Sequence, residues 1–149
     1  MNMNLTAHFT LAELTVTDHR EFDNTPNGDA IANLTRLALF LELVKTKLGG
    51  KPIIVNSAFR SKQVNDAVGS KDTSQHRLGC AADIRIPGMT PNEVVEAIMG
   101  FGLYYDQIIR EFAKPEGGGW THISVPNTPG LLPRRQALII DETGTRPFA

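Results

Sequence analysis

The sequence predicts an α+β domain: a small, mostly antiparallel sheet with helices on one face. Three observations carry that reading. One long segment repeats apolar residues at helical spacing, several short β-branched segments are bounded by Gly or Pro, and strands and helices do not alternate as a parallel α/β fold requires. At 149 residues the chain has the length of one domain, 1–149, and can bury roughly two-thirds of the surface that its unfolded form exposes. The core is expected over about residues 9–125, with 126–149 as a C-terminal extension.

In chain order, Thr10 reads as a helix N-cap. Glu13 closes a capping box and Phe9 with Leu14 forms a hydrophobic staple, which predicts a short docking helix. After the turn cluster from Asp23 to Gly28, Ile31, Leu34, Leu37, Ala38, Leu41 and Leu48 recur at helical spacing until Gly49 and Gly50 stop the run, placing the main core helix at 29–48. Residues 52–59 read as a buried strand that delivers Ser57 and Arg60 at its far end, and 61–68 as a short helix capped by Gly69. Residues 69–79 are polar and turn-rich, with no periodicity.

A second strand is expected at 82–86, where Ala82, Ile84 and Ile86 alternate against Asp83 and Arg85 until Pro87 and Gly88 end it. Thr90, Pro91 and Glu93 repeat the helix-start grammar, with Met89 and Val94 as staple, for a helix ending near Gly100 or Gly102. Residues 104–112 and 120–125 read as two strands, antiparallel across a glycine-rich loop at 113–119 that is too long for a tight hairpin turn. In the proline-bearing tail, 137–140 is the one apolar stretch, suited to an edge strand.

Composition narrows the function classes. Hydrophobic residues at 41% and charged residues at 21% argue against a disordered, collagenous or coiled-coil chain. Fifteen basic against 16 acidic residues leave a net charge of -1, which gives no electrostatic reason to expect nucleic acid or an anionic membrane as partner. A monomer is the expected state. The N-terminus lacks a basic region followed by an apolar run, and no stretch approaches a membrane span, so the chain is expected to carry no export signal of its own. Cys80 is the single cysteine, which excludes an intramolecular disulfide and a thiolate zinc site, so any metal must be held by histidines and carboxylates. Only His8, His19, His76 and His122 are available.

Strand alternation sorts them. Thr121, Ile123 and Val125 suit the core side, so His122 projects to the open face beside Trp120, and Asp83 points away from the core by the same logic. His76 precedes Asp83 by seven residues, across a turn in which Gly79 lets the chain reverse. Two imidazoles and one carboxylate suit Zn²⁺ with an open fourth position, an arrangement that acidifies water and polarises a carbonyl for amide hydrolysis. Spacing alone leaves a metal site and ordinary hydrogen-bonded histidines as alternatives. Cys80 reads as an extra ligand or as a small packing residue beside Ala81 and Ala82.

Ser74-Gln75-His76-Arg77-Leu78-Gly79-Cys80-Ala81-Ala82-Asp83 resembles the S-x-H-x-x-G-x-A-x-D signature of the zinc D-Ala-D-Ala carboxypeptidases, peptidase family M15, shared with phage endolysin peptidases and the hedgehog signalling domain. Trp120-Thr121-His122-Ile123-Ser124 is similar to the family's later W-x-H-x-S segment, and Ser57-Ala58-Phe59-Arg60-Ser61 to its S-x-[YF]-R-[ST] element. The three occur in family order over about residues 9–125.

The resemblance implies a hedgehog/DD-peptidase-like fold and one zinc ion held by His76, Asp83 and His122. It also implies that Arg60 holds a substrate carboxylate or carbonyl, as a guanidinium fork does well. Ser74, Gln75, Gln107 and Trp120 are further candidate substrate contacts. For the general base, Ile109-Arg110-Glu111-Phe112 resembles the stretch in which relatives carry a glutamate, which favours Glu111, eleven residues before His122, over Glu116, six before it. Some relatives carry a histidine two residues before the last ligand; Trp120 stands there instead.

The expected activity is zinc-dependent hydrolysis of an amide bond in a peptidoglycan stem peptide, as carboxypeptidase or endopeptidase, in a phage lysin. Such a lysin waits in the host cytoplasm until release or rides on the virion, and acts at the cell wall. The alternative is a zinc-binding recognition or phage structural module that keeps the fold without turnover.

Overall fold

The computed structural model describes residues 2–148. Among these, a six-stranded sheet is flanked by four helices and a 3-10 turn. The reciprocal Thr10 and Glu13 hydrogen bonds form as expected, at 3.1 and 3.2 Å. They brace the turn that leads into the 3-10 segment Glu13–Thr15, whose N-cap is Ala12, and no longer helix follows, since Val16 leaves in extended conformation. Phe9 and Leu14 are buried all the same.

Helix α1 spans Gly28–Lys47 and is capped by Asn27, whose side chain accepts from the Ala30 N–H. Its Leu34, Leu37, Ala38, Leu41 and Val44 enter the core, and Gly49 and Gly50 end it at positive φ, 72° and 85°. Strand β1 is Ile54–Ser57, and α2 is Lys62–Ala67 with Ser61 as N-cap. The segment without periodicity contains a short helix, α3 (Gln75–Leu78), capped by Ser74 and closed by Gly79. Four residues are too few to show a helical period, so only the caps mark it. β2 is Ala81–Arg85, α4 is Pro91–Gly100 with the Thr90/Glu93 capping box complete, β3 is Gln107–Glu111 and β4 is Trp120–Ser124.

The tail corrects one expectation. Residues 137–140 lie within β5 (Gln136–Asp141), which is interior and not an edge: it pairs parallel with β3 on one side and antiparallel with β6 (Gly144–Pro147) on the other. The strand order is β1-β2-β4-β3-β5-β6, so the sheet is antiparallel except at β3 and β5. Parallel neighbours need a crossover, and residues 126–135 supply it without a helix, leaving no local pattern to read.

Strand pleat divides the chain's chemistry. Ala82, Ile84, Ile108 and Ile123 join the core cluster with the buried residues of α1 and α4. Asp83, Glu111 and His122, of opposite parity, line a cleft on the other side.

Candidate active site

Asp83 and His122 stand directly opposite each other in the β2–β4 ladder, and α3 brings His76 to the same point. Asp83 Oδ1 lies 3.3 Å from His76 Nε2 and 3.2 Å from His122 Nδ1, and the two imidazoles meet edge to face at 5.1 Å between centroids. All three residues are buried, and one ligand atom from each lies within 4.8 Å of the others.

The second ring nitrogen of His76 is fixed from behind. Its Nδ1–H donates to the Ala58 carbonyl at 2.7 Å, so the Nε2 lone pair faces the cluster, the support that metal-ligating histidines ordinarily have. Burial lowers the His76 pKa and keeps the ring neutral. Burial also pushes the Asp83 carboxyl up, but the His76 and His122 imidazoles outweigh it and hold the group well below the usual carboxylate range, hence ionised. A neutral imidazole, an anionic carboxylate and a second imidazole converging on one point fit a divalent zinc ion.

Gly79 makes this approach possible for two reasons. It closes α3 at φ 82°, and a Cβ there would stand 2.8 Å from the Ala30 carbonyl oxygen and 3.1 Å from Leu34 Cγ. Backbone of α3 therefore packs on α1 as only glycine allows.

Arg60 reaches the cluster from the end of β1. Register shifts between Val55 and Ser57, so that Ser57 pairs with Asp83. Arg60 Nε donates to Ser57 Oγ at 3.2 Å and Nη2 to Asp83 Oδ2 at 3.3 Å, while Nη1 has no hydrogen bond among the described residues. Burial lowers the Arg60 pKa, opposed by the Asp83 and Glu111 carboxylates. Asn24 holds the backbone on both sides, donating to the Phe59 carbonyl and accepting from the Ser61 N–H.

Glu111 lines the cleft, and Glu116 does not. Glu111 is paired in the β3–β4 ladder with Trp120, so the eleven-residue separation from His122 is a loop excursion and not a distance. Trp120 Nε1–H donates to Glu111 Oε2 at 2.6 Å. Burial raises the Glu111 pKa above the ordinary carboxylate value; the Asp83 charge adds to this, while His122, the Trp120 hydrogen bond and Arg60 oppose it.

Of the other candidates, Ser74 and Trp120 line the cleft; Gln75 and Gln107 do not. Gln75 Nε2 is turned to Asp106 Oδ2, the Val125 carbonyl and Asn127 Oδ1, and Gln107 Nε2 donates to Gln136. Gln75 is tied into the buried interior and Gln107 to a surface neighbour, and neither lines the cleft, so a substrate contact from either has no geometric support. Cys80 is buried among core side chains, outside the ligand set, and burial raises its thiol pKa. His8 and His19 pair with Glu42 and Glu21 away from the cleft.

Sequence reasoning missed Phe112, Val68, Ser70 and Ile140, which complete the cleft wall. Phe112 is a non-glycine residue at φ 54°, its N–H donates to the Ile140 carbonyl, and its ring lies 5.5 Å from Trp120. Gly119 permits this crossing: a Cβ on it would come within 2.6 Å of the Ala113 backbone and the Glu111 carbonyl. Of all these features, only the glycine run before Trp120 was visible as a signal.

A buried His-Asp-His donor set beside a glutamate and an arginine, in a cleft on an α+β sheet, has the make-up of a metal-dependent hydrolase. The chain belongs to the Peptidase M15 family, whose profile matches residues 7–123. It is thus a peptidase by family, and the family's members are zinc enzymes. A search of the curated proteins finds no match.

Proposed function

We propose that this chain is a zinc peptidase that hydrolyses an amide bond in bacterial peptidoglycan stem peptides, as the D-Ala-D-Ala carboxypeptidase or endopeptidase of a phage lysin. The observation that carries this reading is the meeting of His76, Asp83 and His122 with Glu111 and Arg60 in one cleft. His76, Asp83 and His122 would hold the ion. Zinc bound there supplies Lewis-acid polarisation of the scissile carbonyl and acidifies the attacking water.

Glu111 takes the proton of that water and passes it to the leaving amine, a role suited to a carboxylate whose pKa is raised toward neutrality. Arg60 Nη1 orients the substrate's terminal carboxylate or carbonyl, with Ser57 and Asp83 fixing the rest of the fork. Ser74 and Trp120 line the substrate's path. A non-catalytic recognition module rests on the long Glu111–His122 spacing, which the ladder register explains without displacing the glutamate.

The test is to incubate the purified protein with peptidoglycan and identify products by mass spectrometry, comparing wild type, Glu111→Gln and a zinc-chelated sample. Stem-peptide fragments from the wild type alone support the reading. Absence of metal-dependent cleavage on cross-linked and D-Ala-D-Ala-terminated substrates alike overturns it. Which of those two substrates reacts separates endopeptidase from carboxypeptidase.

A further inference from the structure

Behind the cleft, on the opposite face of the sheet, lies a second cavity of about 510 Å³. Its walls are the reverse sides of the strands that carry the active site: Ile84 beside Asp83, Arg110 beside Glu111, and Thr121 between Trp120 and His122. The start of α4 and the 113–119 loop complete it. Ile86, Met89, Val94 and Pro115 give it an apolar interior, and its volume falls within the range of small-molecule sites.

Its charges are one-sided. Arg85, Arg110 and Lys114 line the cavity and no acidic residue does, in a chain whose net charge is -1. None of the three has an ion pair among the described residues, a state they share with most of the chain's cations, and Arg110 lies over the Phe148 ring at 5.9 Å. Neighbouring carboxylates are already engaged: Glu93 accepts from the Thr90 N–H, and Glu96 accepts from Asn92 Nδ2. Asn92 Oδ1 in turn accepts from Arg110 Nη1 at 2.5 Å, which holds that guanidinium against the cavity wall. By strand parity Arg85 points with Asp83 to the other face, so Arg110 from the sheet and Lys114 from the loop are the cations that an anion in the cavity would meet.

We propose that this cavity binds a small organic anion, a carboxylate or phosphate carried on an apolar body. The proposal is independent of the peptidase reading. Occupancy also restrains the loop, because residues 113–119 form one wall and Gly117, Gly118 and Gly119 all sit at positive φ, between 76° and 114°.

The probe is 8-anilinonaphthalene-1-sulfonate, an apolar two-ring anion, titrated into the full chain and followed by fluorescence and by amide NMR shifts. One equivalent binds, shifts cluster at residues 84–94 and 110–121, and amide exchange slows across 113–119. Arg110→Gln and Lys114→Gln each weaken binding about 10-fold with the melting temperature retained, as expected for loss of a charge-assisted contact. The neutral analogue N-phenyl-1-naphthylamine, tested on wild type, binds at least 10-fold more weakly. Decanoate and decyl phosphate displace the probe, and their order tells carboxylate from phosphate, while inorganic phosphate alone does not displace it. Equal binding of the neutral analogue, displacement by inorganic phosphate as effective as by decyl phosphate, or shifts centred on Val68, Ser70 and Phe112 would overturn the proposal.

Discussion

Trp120 donates its indole N–H to Glu111 Oε2 across a directly paired position of the β3–β4 ladder. Tryptophan thereby stands where some relatives carry an imidazole, and it sets the orientation and the acidity of the neighbouring carboxylate without titrating itself. Its hydrogen bond opposes the burial that raises the Glu111 pKa, so removing it raises that pKa further. Trp120→Phe should move the acid limb of the kcat/KM profile to higher pH, read from initial rates between pH 4 and 8. An unmoved limb would disconnect Glu111 from the rate.

Glu111→Gln keeps the shape and loses the base. Turnover should fall about 100- to 10,000-fold, while bound metal, measured by elemental analysis, stays at one equivalent. Glu116→Gln should leave both unchanged. Loss of metal in the glutamine variant would instead make Glu111 a ligand.

His122→Ala and Asp83→Asn should abolish stoichiometric zinc. Chelation of the wild type should lower its melting temperature in proportion to the logarithm of free metal, as linkage requires, and leave the melting temperature of either variant unchanged.

Phe112 holds a left-handed backbone that a Cβ disfavours by about 1 to 2 kcal/mol. Phe112→Gly should therefore be more stable than Phe112→Ala by about 1 kcal/mol in denaturant titrations, reversing the usual order of these residues. Both variants remove the ring from Trp120, and both should raise KM.

Asp106 accepts from Arg134 N, Nε and Nη2 and from Gln75 Nε2, tying the tail to the residue before His76. Burial raises its pKa, but Arg134 and Gln75 outweigh that and hold it below the ordinary range. A lowered carboxyl contributes stability above its unfolded pKa and loses it as pH falls through the folded one. Asp106→Asn should cost about 2 kcal/mol at neutral pH and flatten the acid side of the stability profile.

The convergence of His76, Asp83 and His122 was legible because each obeys a local rule. Asp83 and His122 follow strand parity, and His76 follows a capped turn closed by Gly79. The wall formed by Phe112 and Ile140 was not legible, since it depends on a parallel pairing across a crossover without a helix and on a backbone angle unusual for phenylalanine. Gln75 shows a different failure. A polar residue beside a ligand suggests a substrate contact, yet its amide satisfies Asp106 and Asn127 behind the site, and nothing local tells which way a side chain on a one-turn helix points.

The facing of Asp83 and His122 in adjacent strands also decides which changes of length the chain can absorb. Insertions among residues 113–119 lengthen an excursion whose two ends stay paired at Glu111 and Trp120. A single residue added or deleted inside β2 or β4 reverses the count of odd and even positions beyond it, sending a carboxylate or an imidazole into the apolar layer and an isoleucine into the cleft. Length can thus change at the tip of the loop without moving its paired ends, while the evenness of the count within these two strands is held by the chemistry on one side and the core on the other.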